Sequence, residues 1–99
     1  MEIKLIRREK EGELLLIGRL DSSSAPEAED ILMAASEEFE KIVLNLSGLQ
    51  YISSAGLRVF KNLYFAMNKK NGELVLKNTN KMVMEVFEIT GFAGILRFE

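Results

Sequence analysis

The segment from Lys41 to Phe60 constrains the fold more than any other part of the chain. It begins with Ile42-Val43-Leu44 and Leu46, a short β-branched apolar run that is typical of a strand covered on both faces. Ser47-Gly48 interrupts this run with residues that favour a turn. Apolar residues then return at helical spacing, at Leu57, Phe60, Leu63, Tyr64 and Met67. The segment therefore predicts a buried strand, a polar loop and a helix.

Two serines, Ser53 and Ser54, lie where this predicted helix begins. That position follows the carboxyl end of a central strand, where open α/β sheets usually bind their ligands. A serine there is most often an N-cap that accepts a backbone N–H, a contribution of about 1 kcal/mol. The free amides and the helix dipole also favour negative charge, so a phosphate on Ser54 is compatible with the fold. The residues favour a cap first and leave a phosphorylation switch open.

The N-terminal part of the chain predicts a β-hairpin. Glu2–Arg8 alternates apolar and polar side chains as a half-buried strand does, and Leu14–Leu20 supplies a second strand. Between them, Glu9-Lys10-Glu11-Gly12 has the composition of a tight polar turn. We therefore expect the two strands to pair antiparallel.

The next segment predicts a helix with a capping box. Ser24 and Glu27 are spaced so that each can bond a free amide of the first turn, and Pro26 is tolerated there. The periodicity predicts that the helix buries Ala28, Ile31, Leu32, Ala35 and Phe39. The opposite face is acidic and comprises Glu27, Glu29, Asp30, Glu37, Glu38 and Glu40. This face is interpreted as solvated, with recognition of a basic partner surface as the alternative.

The C-terminal part predicts a strand, a helix and a closing segment. We expect the helix that starts near Ser53 to end near Lys70, before Asn71-Gly72. Leu74-Val75-Leu76 predicts a buried strand, and Thr79 or Asn80 caps a third helix that Gly91 ends. Phe92–Phe98 forms a short strand or a last helical turn. The fold class is thus α/β, a hairpin plus a βαβαβα unit with helices packed on a mixed sheet of four to five strands.

Composition excludes several classes of function. At 99 residues and a net charge of −2, the chain lacks the basic surplus of a nucleic-acid-binding domain. It has no apolar run near the ~20 residues that a membrane span needs, and no signal peptide is visible. Without Cys or His it lacks common nucleophiles, general bases and soft metal ligands. We expect one cytoplasmic domain, residues 1–99, that is not an enzyme, has no cofactor or metal and does not insert into a membrane.

The charge pattern around the serines points to docking. From Lys41 to Gly72 the chain has no acidic residue but five basic ones. Of these, Arg58 and Lys61 lie about one turn from the serines, where they would contact an acidic partner or a phosphate; helix solubility is the alternative. Gly56 costs about 1 kcal/mol relative to Ala in a helix interior. Close packing on the sheet is the favoured reason for Gly56, and backbone approach by a partner is the other.

These residues resemble the signature of a known family. IVLNLSGL, YI and SSAGL are similar to the apolar strand, hydrophobic pair and D-S-[STA]-G-L helix start of the STAS domain, the fold of the bacterial anti-sigma factor antagonists. Upstream, Gly18-Arg19-Leu20-Asp21 and Ser24-Ala25-Pro26-Glu27 resemble the segment that leads into the first helix in that family. The resemblance spans essentially the whole chain and implies a STAS-type fold.

The resemblance implies a switch in transcription regulation. Family members bind an anti-sigma factor, typically a serine kinase, and so release a sigma factor; phosphorylation at the signature helix blocks binding and a PP2C-type phosphatase restores it. The modified residue maps to Ser54, with Ser53 as second choice. The partner-binding surface would comprise Asp21, Ser22, Ser23, Ser53, Ser54, Ala55, Gly56, Leu57, Arg58 and Lys61. We expect a monomer or a weak dimer.

Three positions depart from the family pattern. Ala55 replaces the hydroxyl residue that directly precedes the glycine in many members, which moves the expected phosphosite to Ser54. Ser53 and Asn45 stand where members have acidic residues. Two other functions therefore stay open: a STAS subunit or scaffold of a transporter or signalling complex without phosphorylation, and a small-ligand or nucleotide binder that uses the helix N-terminus with Arg58.

Overall fold

A computed structural model describes all 99 residues of the chain and contains one five-stranded sheet with three α-helices. The elements in chain order are β1 (Glu2–Arg8), β2 (Glu11–Leu20), α1 (Ala25–Glu38), β3 (Lys41–Ile52), α2 (Ser54–Lys69), β4 (Glu73–Lys77), α3 (Lys81–Thr90), a 3-10 turn (Phe92–Gly94) and β5 (Arg97–Phe98). The strands lie in the order β1-β2-β3-β4-β5. Only β1 and β2 pair antiparallel, and the other three pairs are parallel. The predicted hairpin and mixed α/β sheet are confirmed.

The helices cover one face of the sheet. Because side chains alternate along a strand, Leu14 and Leu16 of β2 face the helices, whereas Glu13 and Leu15 face the other side. The buried cluster joins these strand residues to helix residues such as Leu32 and Phe60. No α-helix of the structure combines the length and the apolar composition that crossing a membrane requires.

Strand β3 is longer than the sequence predicts. It continues through Ser47-Gly48 to Ile52, so the predicted polar loop after Leu46 is wrong. β3 pairs with β4 only as far as Asn45, and beyond it pairs with β2 through two shifts of register. Gly48 permits a close approach there, because a Cβ at this position would lie 3.0 Å from the Ile17 side chain. Because its pairing with β2 is irregular here, β3 continues through two residues that otherwise favour a turn.

Two predictions for α1 are also wrong. Ser24 makes no capping hydrogen bond with its side chain, and its hydroxyl instead donates to the Arg19 carbonyl oxygen at 2.8 Å. The backbone of Ser24 is in the right-handed helical region (φ −95°, ψ −17°), not in the extended region usual for an N-cap, and its hydroxyl also accepts from the Asp21 amide at 3.0 Å. Ile31, expected in the core, is 37% exposed, since α1 packs on α2 and β2 and leaves its flank towards β1 uncovered.

The C-terminal predictions are confirmed. α2 ends at Lys69, and Asn80 caps α3 by accepting from the Val83 amide at 2.8 Å. Gly91 ends α3 in the left-handed conformation with φ 84°. The closing segment is both a 3-10 turn and a two-residue strand.

Candidate functional site

Two strand-to-helix junctions meet at one edge of the sheet. The first junction, residues 21–24, follows β2, and the second junction, residues 53–57, follows β3. Leu20 and Ile52 are paired at the carboxyl ends of these parallel strands. The Ser53 amide donates to the Leu20 carbonyl oxygen at 2.9 Å, which ties the two junctions together. The sheet therefore brings both predicted groups of site residues to one place.

The serines of the second junction have different roles. Ser53 is the N-cap of α2, with an extended backbone and a hydroxyl that accepts from the Gly56 amide at 3.3 Å. Ser54 is the first residue of the helix and is exposed. Its hydroxyl makes no hydrogen bond within the chain, whereas the Ser53 hydroxyl is engaged. The capping interpretation thus applies to Ser53 and leaves Ser54 accessible.

Gly56 lets α2 approach the strand ends closely. A Cβ at this position would lie 2.7 Å from Leu20 Cγ and 2.8 Å from Ile52 Cγ1, distances that side chains do not tolerate without a shift. Leu57 follows it into the core and is 7% exposed. The favoured interpretation of Gly56, close packing on the sheet, agrees with this geometry. Gly56 and Leu57 set the position of the helix, and their side-chain positions do not face solvent.

Hydrogen bonds to one carboxylate organise the first junction. Asp21 Oδ1 accepts from the Ser23 hydroxyl at 2.7 Å, from the Ser23 amide at 3.0 Å and from the Ser24 amide at 3.2 Å. The bond from the Ser23 hydroxyl and then that from the Ser24 amide hold the pKa of Asp21 below its ordinary value. Ser22 is exposed and has no such bond. Asp21 thus fixes the loop through its neighbours.

A concave surface lies between the starts of α1 and α2. A cavity of about 230 Å³ there is lined by Ser22, Ala25, Pro26, Glu29, Ala55, Arg58 and Val59. Three members of the predicted partner-binding set, Ser22, Ala55 and Arg58, therefore share one groove. Ser23, Ser54 and Lys61 are exposed nearby, and Asp21 and Ser53 are half-buried.

The side chains that α2 contributes to this surface carry positive charge. Arg58 and Lys61 are exposed, and neither takes part in an ion pair within the chain. The Lys61 ammonium lies 6.0 Å from the centre of the Phe65 ring. No group of three or more His, Cys, Asp or Glu side chains is arranged to hold a metal ion. The surface suits an acidic group from a partner or a covalently attached phosphate.

The sequence interpretation missed Arg19 and Tyr51 beside the site. The Arg19 guanidinium carbon lies 4.2 Å from the centre of the Tyr51 ring, a cation–π contact, and Arg19 Nε lies 3.9 Å from Asp21 Oδ2. The two residues are partners in the β2–β3 register. Each precedes its junction by two residues, which is the signal that could have found them.

A buried carboxylate, Glu13, was also missed. It is 4% exposed on the face of the sheet without helices and accepts from Arg8 Nη1 at 2.8 Å, from Asn45 Nδ2 at 3.0 Å and from Lys77 Nζ at 3.1 Å. The Arg8 hydrogen bond is the main reason that its pKa falls from 4.5 to about 2. This network links four strands, and Asn45 is one of its donors.

Comparison with known proteins identifies the family of this fold. The STAS domain family model matches residues 4–99, almost the whole chain. The chain belongs to the STAS domain family. BtrV of Bordetella bronchiseptica, which is named as a candidate anti-sigma factor antagonist, is 43% identical over 81 residues, covering 81% of this chain and 70% of BtrV.

Two solved structures share the STAS-type architecture of this chain. A candidate anti-sigma factor antagonist from Thermotoga maritima has a TM-score of 0.90 at 20% identity, covering 97% of this chain and 84% of that one. The Bacillus cell fate determinant SpoIIAA in its phosphorylated form has a TM-score of 0.78 at 17% identity, covering 99% and 91%. At these identities the likeness confirms the predicted fold.

Proposed function

We propose that this STAS domain is an anti-sigma factor antagonist that is switched off by phosphorylation of Ser54. In its unmodified form it binds an anti-sigma factor of the serine kinase type in the cytoplasm and so releases a sigma factor. The observation that carries the proposal is the exposed, unbonded hydroxyl of Ser54 at the start of α2, next to a groove that contains Arg58.

The accessibility of Ser54 supports the choice of phosphosite. A kinase must take the serine hydroxyl into its own active site, and Ser54 has no internal bond that would have to break first. The Ser53 hydroxyl, the second choice, already accepts from the Gly56 amide, a bond that would have to break before a kinase could take the hydroxyl into its active site. Ser54 is therefore the better substrate of the two on physical grounds.

Arg58 supports a switch that leaves the fold intact. Ser54 and Arg58 are four residues apart on α2, so their side chains share one face of the helix. A phosphate on Ser54 would add roughly two negative charges and would meet both the free amides of the first turn and a guanidinium that has no other ion pair. The charge of the docking surface around Ser54 would then change from positive to negative while the helix stays folded. SpoIIAA, which shares the fold, is phosphorylated in one of its structures.

The partner surface that we propose is the groove with its exposed rim. Ser22, Ser23, Ser54, Ala55, Arg58 and Lys61 would contact the anti-sigma factor directly. Asp21, Ser53, Gly56 and Leu57 would act by holding the two junctions in place. A PP2C-type phosphatase would restore binding by removing the phosphate.

A phosphorylation assay tests the site. The chain is incubated with ATP and the anti-sigma kinase encoded near its gene, and the modified residue is located by mass spectrometry. We expect phosphate on Ser54, none on the Ser54→Ala variant and full modification of Ser47→Ala, which removes an exposed hydroxyl of β3 outside the proposed partner surface. Phosphate on neither Ser54 nor Ser53 contradicts the switch.

A binding assay tests what the modification does. Ser54→Asp is expected to weaken binding of the anti-sigma factor at least tenfold, which is about 1.4 kcal/mol, and to leave the melting temperature nearly unchanged. The matched control is Ser47→Asp, which places the same charge on an exposed serine of β3. Equal effects of both variants would indicate a general charge effect. Co-purification with transporter subunits, or tight binding of GTP, ATP or an acyl ligand instead, would favour the two other STAS functions.

A further inference from the structure

The edge of the sheet formed by β1 is long and uncovered. β1 is the terminal strand, and six of its seven residues are exposed. The opposite edge is β5, which has only two residues. The pairing of β1 with β2 has no bulge that would twist the edge away. The sheet therefore has one extended free edge, the kind that pairs with another strand.

Apolar side chains accompany this free edge. On the face of the sheet that α1 covers, Leu5 of β1 is 38% exposed and Ile31 of α1 is 37% exposed, whereas Ile6 is 40% exposed on the opposite face. Two cavities of about 280 and 260 Å³ lie between β1 and α1 and share Ile3 and Ile31 in their walls. The helix thus leaves the apolar side of β1 incompletely covered, and a neighbour at the edge would cover more of it.

The hairpin geometry directs the backbone groups of every second residue outward. A two-residue turn joins Arg8 to Glu11, which makes that pair a hydrogen-bonded one. Because hydrogen-bonded and non-bonded pairs alternate, the even-numbered residues of β1 bond to β2. The amides and carbonyls of Ile3, Leu5 and Arg7 therefore point away from the sheet, centred on Leu5.

The charges of β1 are arranged so that a second, antiparallel copy of the strand centred on Leu5 places opposite charges side by side. If a second β1 pairs antiparallel with Leu5 opposite Leu5, Glu2 of each strand lies opposite Arg8 of the other, and Ile3 lies opposite Arg7. The positive charges along the edge already have acidic partners in their own chain: Lys4 lies 3.9 Å from Glu2, Arg7 is paired with Glu38, and Arg8 Nη1 lies 2.8 Å from Glu13. The usual repulsion between basic edge strands is thereby reduced.

We propose that β1 is a dimerisation edge, at which two copies of this chain pair antiparallel about Leu5 into a continuous ten-stranded sheet. The outward groups of Ile3, Leu5 and Arg7 form the new backbone bonds, and Glu2 of each copy lies beside Arg8 of the other, whose guanidinium keeps its hydrogen bond to Glu13. Paired strands alone bury less than the roughly 1,600 Å² of a standard interface, so the dimer is weak and depends on concentration. α2 packs on α1, β3 and β4, so the Ser54 surface stays free in both copies.

Cysteine cross-linking tests the register, because the chain has no cysteine of its own. In the Leu5→Cys variant two thiols face each other at a Cα separation of about 5.5 Å, within the range of a disulfide. Ile3→Cys is the matched control: its thiols lie two residues to either side of the axis and are too far apart. We expect a disulfide dimer for Leu5→Cys, little for Ile3→Cys, and restored cross-linking when Ile3→Cys is mixed with Arg7→Cys.

Sedimentation of the cysteine-free chain from micromolar to millimolar concentration tests the dimer itself. The wild type is expected to dimerise as concentration rises, and Leu5→Lys to weaken dimerisation at least tenfold by placing like charges across the axis. Ile89→Lys makes the same change at a side chain that is 85% exposed on α3 and is expected to have no effect. A wild type that stays monomeric, an equal loss with Ile89→Lys, or equal cross-linking of Leu5→Cys and Ile3→Cys would each overturn the proposal.

Discussion

The two junctions at the working edge of the sheet have similar sequences but use their serines differently. Both follow a parallel strand, both contain consecutive serines and both start a helix. The first junction contains the carboxylate of Asp21, which binds the Ser23 hydroxyl and two amides. The second has no acidic residue, so Ser53 supplies the cap and the Ser54 hydroxyl makes no internal bond.

The difference shows what a carboxylate does to nearby hydroxyls. A charged acceptor forms stronger hydrogen bonds than a neutral one and draws both side-chain and backbone donors towards itself. Hydroxyls in its reach become part of the structure and are less available to an enzyme. Without a carboxylate, one serine suffices for the cap and the next one is free. At the second junction Ser53 supplies the cap, and the Ser54 hydroxyl stays accessible.

The largest expected effect concerns packing at the second junction. Gly56→Ala would force a Cβ to within 2.7 Å of Leu20 and 2.8 Å of Ile52, and overpacking of this kind costs about 1–3 kcal/mol. The better helix propensity of Ala offsets part of this loss. We expect a clear drop in the free energy of unfolding, measured by urea denaturation.

Gly94→Ala is the control for Gly56→Ala, because a Cβ at Gly94 meets nothing within 4 Å. If the two variants are equally stable, the second junction is not held by close packing, and α2 has more freedom than the structure indicates.

The next effect concerns the carboxylate of the first junction. Asp21→Ala would remove the acceptor of the Ser23 and Ser24 amides and of the Ser23 hydroxyl, so the loop and the start of α1 should loosen. We expect a lower melting temperature and faster amide exchange at Ser23 and Ser24. Ser22→Ala, which removes an exposed hydroxyl without a hydrogen bond, should change neither. Unchanged exchange in Asp21→Ala would contradict the organising role of the carboxylate.

The stabilisation by Asp21 should also depend on pH. Its pKa is lower in the folded chain than the ordinary 3.8, so its contribution is present above pH 3.8 and is lost as the pH falls through the lowered pKa. Asp21→Asn keeps the shape and lacks this contribution, so its stability should converge with that of the wild type in acid. Glu13, with its pKa near 2, affects both proteins alike and cancels in the difference. A difference that stays constant down to pH 2 would contradict the assignment.

The sequence predicts a helix end well where the capping hydrogen bond lies within that helix end, and poorly where the hydroxyl of the candidate cap is bonded to residues outside the helix. Ser53, Asn80 and Gly91 were placed correctly, because each acts within its own helix end. The spacing of Ser24 to Glu27 fits a capping box, yet the Ser24 hydroxyl bonds to the Arg19 carbonyl oxygen and the Asp21 amide instead. Local spacing does not reveal these contacts with the preceding strand end.

Other errors arise from contacts between distant parts of the chain. The continuation of β3 through Ser47-Gly48 depends on pairing with β2, which no local pattern shows. Glu13 lies in the hairpin, and its hydrogen bond with Asn45 and ion pair with Lys77, both more than thirty residues away, do not follow from any local pattern. The exposure of Ile31 follows from where α1 sits on the sheet, which periodicity cannot give.

A smaller effect is expected for the cap of α2. Ser53→Ala would leave the Gly56 amide without its acceptor and should cost about 1 kcal/mol, the usual value for loss of an N-cap. Ser53→Asp should keep the stability, since Asp caps as well as Ser does. Urea denaturation of both variants measures the difference. If Ser53→Ala is neutral, the cap is not what separates the two serines of the second junction.

The smallest effect is expected at Ser54 itself. Its side chain is exposed and unbonded, so Ser54→Ala should change the free energy of unfolding by less than about 0.5 kcal/mol. Urea denaturation of Ser54→Ala and Ser53→Ala measures both losses of unfolding free energy. The two losses should differ by more than the error of the measurement. A loss at Ser54 as large as that at Ser53 would mean that both hydroxyls stabilise the helix start. The second junction would then resemble the first, and the availability of Ser54 to a kinase would lose its physical basis.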